Sequence, residues 1–146
     1  MTDIQDARDA LNRVLELTVL LGDDMARDLA RRGLTGSRAH LVWELNRLGP
    51  STQQTLAEAL GVTPRAITGL VDALADGGFV TREPHPRDRR ATLVTFTKQG
   101  ERAAKALERD HIELAGRLFG DMSANTFRGF TRGLDAVLAR LRDLLA

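Results

Sequence analysis

Apolar positions recur every three or four residues near both ends of the chain, and give way to a β-like pattern only once, between residues 79 and 97. Residues 3 to about 32 carry Ile4, Ala7, Leu11, Val14, Leu21 and Met25 at helical spacing, with Asp and Arg between them, which predicts one long helix closed by Gly33. Thr35 to Leu48 predicts a second, with Leu41, Val42, Leu45 and Leu48 apolar and Gly49-Pro50 as the stop. A short helix from about Gln53 to Leu60 follows; Ser51 or Thr52 can cap it, and Ser51 with Gln54 has capping-box spacing. Gly61 closes it, and Thr63-Pro64 opens a fourth helix with a good N-cap and a proline at its first position. That helix runs to about Asp76 and stops at Gly77-Gly78.

From residue 79 the period changes. "FVTRE" and "ATLVTFT" are rich in β-branched and aromatic residues and flank a proline-rich tip, so they predict a two-stranded hairpin. Helical spacing resumes at Lys98 and runs to about Phe119, where Gly120-Asp121 breaks it. The last helix, from about Ser123 to Leu145, aligns Phe127, Phe130, Leu134, Val137, Leu138, Leu141 and Leu145 on one face. There is no internal repeat and no low-complexity linker. The expected fold is mainly α with a small β-wing: a winged helix-turn-helix over residues 35–100, flanked by helical segments 1–34 and 101–146, in one protomer of 146 residues.

The capped helix divides cleanly. Ile67, Leu70, Val71 and Leu74 form a back that packs on the short helix, while Arg65, Thr68, Gly69 and Asp72 form the opposite face. A helix that reads the major groove needs this division, and its N-terminus, with free N–H groups, favours phosphate. An ordinary surface helix would look similar in isolation; the tight "ALGVTPRAI" break between two short helices is what favours the reading helix.

Charge sharpens the picture at the hairpin. The whole chain is near neutral, at +1, so any nucleic-acid partner must be argued from local charge. Between Val62 and Lys105 eight basic residues face five acidic ones, and Arg82, Arg87, Arg89 and Arg90 fall within nine positions around Pro84 and Pro86. The prolines stiffen the tip, and arginine on a stiff tip suits the narrow minor groove. Asp88 would be out of place in a simple phosphate patch; a bidentate pair with a guanidinium, Arg90 being the candidate, would aim that arginine. A solvated charged hairpin is the plainer reading of such a run taken alone.

Other features exclude chemistry. With no cysteine there is no disulfide, thiolate metal site or thiol redox sensor. "MTDIQDARDALNR" has neither the basic start nor the apolar core of a signal peptide, and "LELTVLLG" is too short to span a bilayer, so a cytoplasmic location and no membrane partner are expected. No nucleophile–base pair, metal cluster or phosphate-binding glycine loop is present, so neither an enzyme nor a cofactor is expected. His111 has no second ligand at i+3 or i+4, and no metal site is assigned.

The stretch "GPSTQQTLAEALGVTPRAITGLVDALADGGFVTREPHPRDRRATLVTFTKQG" resembles the winged helix-turn-helix of MarR-type transcriptional regulators, through "LAEALGV", "VDALADGGFV", Asp88-Arg89-Arg90 and "LVTFTKQG". The resemblance is direct over residues 49 to 100 and extends to both ends through helix order and length. It implies a homodimer whose terminal helices interlock, recognition helices in successive major grooves of a pseudo-palindromic operator, and wings in the flanking minor grooves. It implies that Asp88 holds Arg90 for entry into the groove. It also implies repression relieved by a small ligand, often aromatic and anionic, bound between the two lobes. Residues expected at double-stranded DNA are Thr52 and Gln53 on the short helix, Thr63, Arg65, Thr68 and Gly69 on the capped helix, and Arg87, Asp88, Arg89 and Arg90 at the tip. His40 and Trp43, three apart on the second helix, are candidates for the effector, against the plainer reading of a core tryptophan and a satisfied histidine. Two departures stand out: many members carry a basic residue where this chain has Gly69, and another at Ala73. They leave a second hypothesis, a winged-helix protein-interaction module that has lost specific DNA binding.

Overall fold

The computed structural model describes all residues from Met1 to Ala146. In chain order the elements are α1 (Ile4–Arg31), α2 (Gly36–Leu48), α3 (Gln53–Leu60), α4 (Pro64–Asp76), β1 (Val80–Pro84), β2 (Thr92–Phe96), α5 (Lys98–Phe119) and α6 (Ala124–Leu145). The fold is therefore mainly helical with one small antiparallel sheet. It divides into two compact units within α5, Met1–Lys105 and Ala106–Ala146. No helix is long and apolar enough to cross a membrane.

Local chemistry accounts for most boundaries. Asp3, Thr35, Thr63 and Ser123 each accept a main-chain N–H two or three residues on, so four helices begin at a side-chain oxygen. For α3 the cap is Thr52, whose Oγ1 accepts the Thr55 N–H at 3.2 Å. Of the two candidates Thr52 is thus the cap, and the capping box for which Ser51 and Gln54 are spaced does not form. Ser51 is buried, exchanges both main-chain bonds with Val94, and donates its hydroxyl to the Gly49 carbonyl. A single bridging residue closes the sheet against the segment before α3; one residue has no period, so alternation could not reveal it. Gly61 ends α3 in the left-handed region at φ 68°, where glycine carries no Cβ penalty.

The core of the first unit is made by the faces that helical spacing selected. Leu41, Val42 and Leu45 of α2, Leu56 and Ala57 of α3, and Ile67, Val71 and Leu74 of α4 are buried together. Val80 and Val94 close this core from the sheet. Fully burying one such side chain is worth about 1.5–3 kcal/mol, so α3, only eight residues long, is held by packing more than by its own propensity. At the base of the hairpin Thr97 Oγ1 donates to the Gly78 carbonyl and accepts the Gly100 N–H at 3.1 Å. A Cβ at Gly100 would overlap the Phe79 carbonyl, so α5 starts in a contact that only glycine allows.

In the second unit Phe119 meets Phe127 and Phe130 at 5.7 Å between ring centroids, closing the turn into α6. No residue of α6 is buried; Leu134, Val137, Leu138 and Leu141 are all exposed along it. In the first unit α1 buries only Leu29 and exposes Ile4, Leu11, Leu15, Val19, Leu20 and Met25.

Candidate nucleic-acid interface

The residues expected at DNA all lie in the first unit, on α3, α4 and their caps and on the hairpin. Ile67, Val71 and Leu74 turn inward on α4, and Thr63, Arg65, Thr68, Gly69 and Asp72 are left exposed. Thr63 spends its hydroxyl on the cap, accepting the Ala66 N–H at 3.1 Å. Thr68 donates to the Pro64 carbonyl at 2.9 Å and accepts from Gln53 Nε2 at 3.1 Å. Thr52 and Gln53 are half-buried at the start of α3.

The hairpin is joined to both helices by a residue outside the expected set. Arg82 lies opposite Val94 in the ladder, two positions after buried Val80, so the pleat points it to the inner face. Its Nη2 reaches Asp72 Oδ1 at 2.6 Å and its Nε donates to Gln53 Oε1 at 3.0 Å. One guanidinium thus ties β1 to α3 and α4, and the bond from Gln53 to Thr68 closes the circuit. The alternation from Val80 carried this signal, but among neighbouring arginines the charge masked it. Asp72, on the outward face, neutralises Arg82 and leaves Arg65 as the basic side chain of α4.

Arg87, Asp88, Arg89 and Arg90 are exposed at the tip between the strands. The bidentate pair expected between Asp88 and the Arg90 guanidinium is replaced by a bond to the backbone: Asp88 Oδ1 accepts the Arg90 main-chain N–H at 3.0 Å. An acid two residues before an N–H closes a local turn with little loss of freedom, whereas a guanidinium pair would have to hold a long exposed side chain. Asp88 shapes the loop that carries Arg90 and leaves that guanidinium free for a ligand. A groove of about 460 Å³ runs between the start of α3 and the hairpin, lined by Thr52, Gln53, Gln54, Arg82, Arg90 and Thr92. It brings Arg90 beside the two α3 residues of the expected set.

His40 and Trp43 lie elsewhere, on α2, and neither lines this groove. The His40 ring is exposed, with Nε2 3.8 Å from Glu44 Oε1, and Trp43 is half-buried.

Comparison with known proteins follows the same residues. The sequence profile of the MarR family matches residues 34–92. The HTH-type transcriptional regulator ML2140 of Mycobacterium leprae is 43% identical over 65 residues, covering 44% of this chain and 46% of that protein. The chain spans about half the length of the first curated relatives it matches. Longer alignments link it to the transcriptional repressor YetL of Bacillus subtilis, 29% identical over 80% of this chain and 71% of that one. The transcriptional activatory protein BadR of Rhodopseudomonas palustris is 30% identical over 77% of this chain and 67% of that one. Among solved structures, Streptococcus pneumoniae FabT in complex with DNA shares the fold at TM-score 0.80 and 20% identity, over 97% of this chain and 99% of that one.

Proposed function

Because this chain belongs to the MarR family of winged-helix regulators, we propose that it is a sequence-specific, homodimeric DNA-binding repressor of a pseudo-palindromic operator, released by a small aromatic or anionic ligand. The observation that carries the reading is the circuit through Arg82, which couples an exposed polar face on α4 to a tip bearing three arginines. In the proposed complex Thr63, Arg65, Thr68 and Gly69 face the major groove. Thr52 and Gln53 meet the adjoining backbone, and Arg87, Arg89 and Arg90, on the loop that Asp88 shapes, reach the flanking minor groove.

Dimerisation is proposed through the segments 1–34 and 101–146, because α1 and α6 each leave a row of large apolar side chains exposed. The effector is proposed to meet His40 and Trp43, whose ring types suit an aromatic acid. The FabT structure, in complex with DNA, supports DNA as the partner, and YetL, named a repressor, supports the direction of control. BadR is named an activatory protein, so a promoter–reporter fusion with and without the gene decides direction: repression predicts higher output in the deletion strain.

The primary test is fluorescence anisotropy against duplexes tiling the DNA upstream of the gene, at two salt concentrations, beside random duplex. Tight, salt-sensitive binding confined to one inverted repeat is expected. The rival reading, an interaction module that has left DNA, draws on Gly69, Ala73 and the near-neutral charge; it predicts weak binding of every duplex with little salt dependence.

A further inference from the structure

The hairpin tip holds an acceptor that a reading by charge passes over. His85 is half-buried between Pro84 and Pro86, neither of which has an N–H. Its imidazole Nδ1 accepts two main-chain N–H groups, from Arg87 at 3.0 Å and from Asp88 at 3.1 Å. The His85 main-chain N–H donates to the Ala91 carbonyl at 3.0 Å, and Asp88 Oδ1 accepts the Arg90 main-chain N–H. The connection between the strands is therefore folded around two side-chain acceptors: His85 fixes the main-chain N–H of Arg87, Asp88 fixes that of Arg90, and Arg89 lies between them. An imidazole nitrogen accepts only while it is unprotonated; in the imidazolium both nitrogens are donors. Two N–H groups converging on Nδ1 require a neutral ring with its hydrogen on Nε2.

We propose that His85 is a positioning residue for the wing: its neutral imidazole holds the tip in the shape that presents Arg87, Arg89 and Arg90, and protonation releases that shape. The effect on DNA rests on the function proposed above, whereas the effect on the tip concerns the free protein. Histidine is the side chain whose charge changes between about pH 5 and 8. The charged neighbours on the same hairpin are Arg82, Glu83, Arg87, Asp88, Arg89 and Arg90; carboxylates and guanidiniums as classes titrate outside that range. No side chain of another element hydrogen-bonds to the ring.

Direction decides between this role and the plain one. A positive charge gained beside phosphates would by itself tighten DNA binding as pH falls. Loss of the acceptor does the opposite, because Arg87 and Asp88 lose their partner and the arginines are no longer held. His85→Asn separates the two, since Asn places an oxygen at the branch position of Nδ1 and does not protonate.

The first arm measures the protection of the Arg87 and Asp88 amides against solvent exchange by NMR on the free protein at about pH 7.5 and about pH 5.5. Protection is expected at the higher pH and lost at the lower one in the parent, kept at both in H85N, and absent in H85A. Equal protection in the parent at both pH values, or in H85A, overturns the proposal. The second arm measures anisotropy at constant salt, with the upstream duplex that the parent binds most tightly at the higher pH. Affinity is expected to fall about tenfold on acidification in the parent and to hold in H85N, roughly what the loss of one or two hydrogen bonds carries. A rise on acidification, or the same fall in H85N, overturns it. Should no duplex bind at any pH, the DNA reading fails by itself and the amide arm still decides the role of His85.

Discussion

At Gly69 the outward face of α4 is bare: a Cβ built there meets nothing within 4 Å. The backbone is ordinary helix, so glycine there weakens α4 with no steric requirement to justify it. Gly69→Arg is expected to raise stability by about 0.5–1 kcal/mol, seen as a higher Tm. It should also steepen the slope of log affinity against log salt by about one, since it adds one phosphate contact. Arg90 makes the opposite experiment. Its side chain is exposed and lines the groove beside α3, so Arg90→Ala should weaken operator binding by about 1–3 kcal/mol and leave sedimentation unchanged. Undiminished affinity in that variant removes the wing from the interface.

Between elements, what matters is how the hairpin is held against α3 and α4. The Arg82–Asp72 pair is partly exposed, at 34% and 56% of the two side chains, so it contributes at most about 1 kcal/mol to folding. Its value lies in alignment. In a double-mutant cycle of Arg82→Ala and Asp72→Ala, read as operator affinity, the pair is expected to couple by about 0.5–1 kcal/mol while Tm moves little; strict additivity would mean that the wing and α4 are set independently. The other join is steric. Gly100→Ala drives a methyl into the Phe79 carbonyl where α5 leaves the sheet, and a loss of about 1–3 kcal/mol in chemical denaturation is expected.

For the whole molecule, the exposed apolar rows of α1 and α6 set the expectation. Large exposed apolar faces are uncommon on proteins that remain monomeric, and a two-fold partner also matches a palindromic site. Sedimentation at micromolar concentration is expected to return twice the chain mass, and Leu138→Glu, in the middle of the α6 row, to shift it toward one. A monomeric parent would leave those rows without the role proposed for them.

Element order was legible from the residues, because helix caps and stops act over three or four positions. Thr35, Thr63-Pro64, Gly61 and Ser123 mark boundaries by chemistry local to them, and helical spacing chose Leu41, Leu45, Ile67, Val71 and Leu74 as core. The resemblance to MarR-type regulators was legible for the same reason, being carried by a contiguous stretch. The partners of individual polar side chains were not. Ser51 gave up a local cap for a bridge to Val94, 43 residues away, Asp88 took a backbone amide instead of a guanidinium, and Arg82 left the charge cluster for Gln53 and Asp72. Polar groups of similar type compete for each partner, and sequence ranks them only by proximity along the chain. Folding decides which donors and acceptors, near or distant along the chain, come within about 3 Å, and that geometry chooses among them.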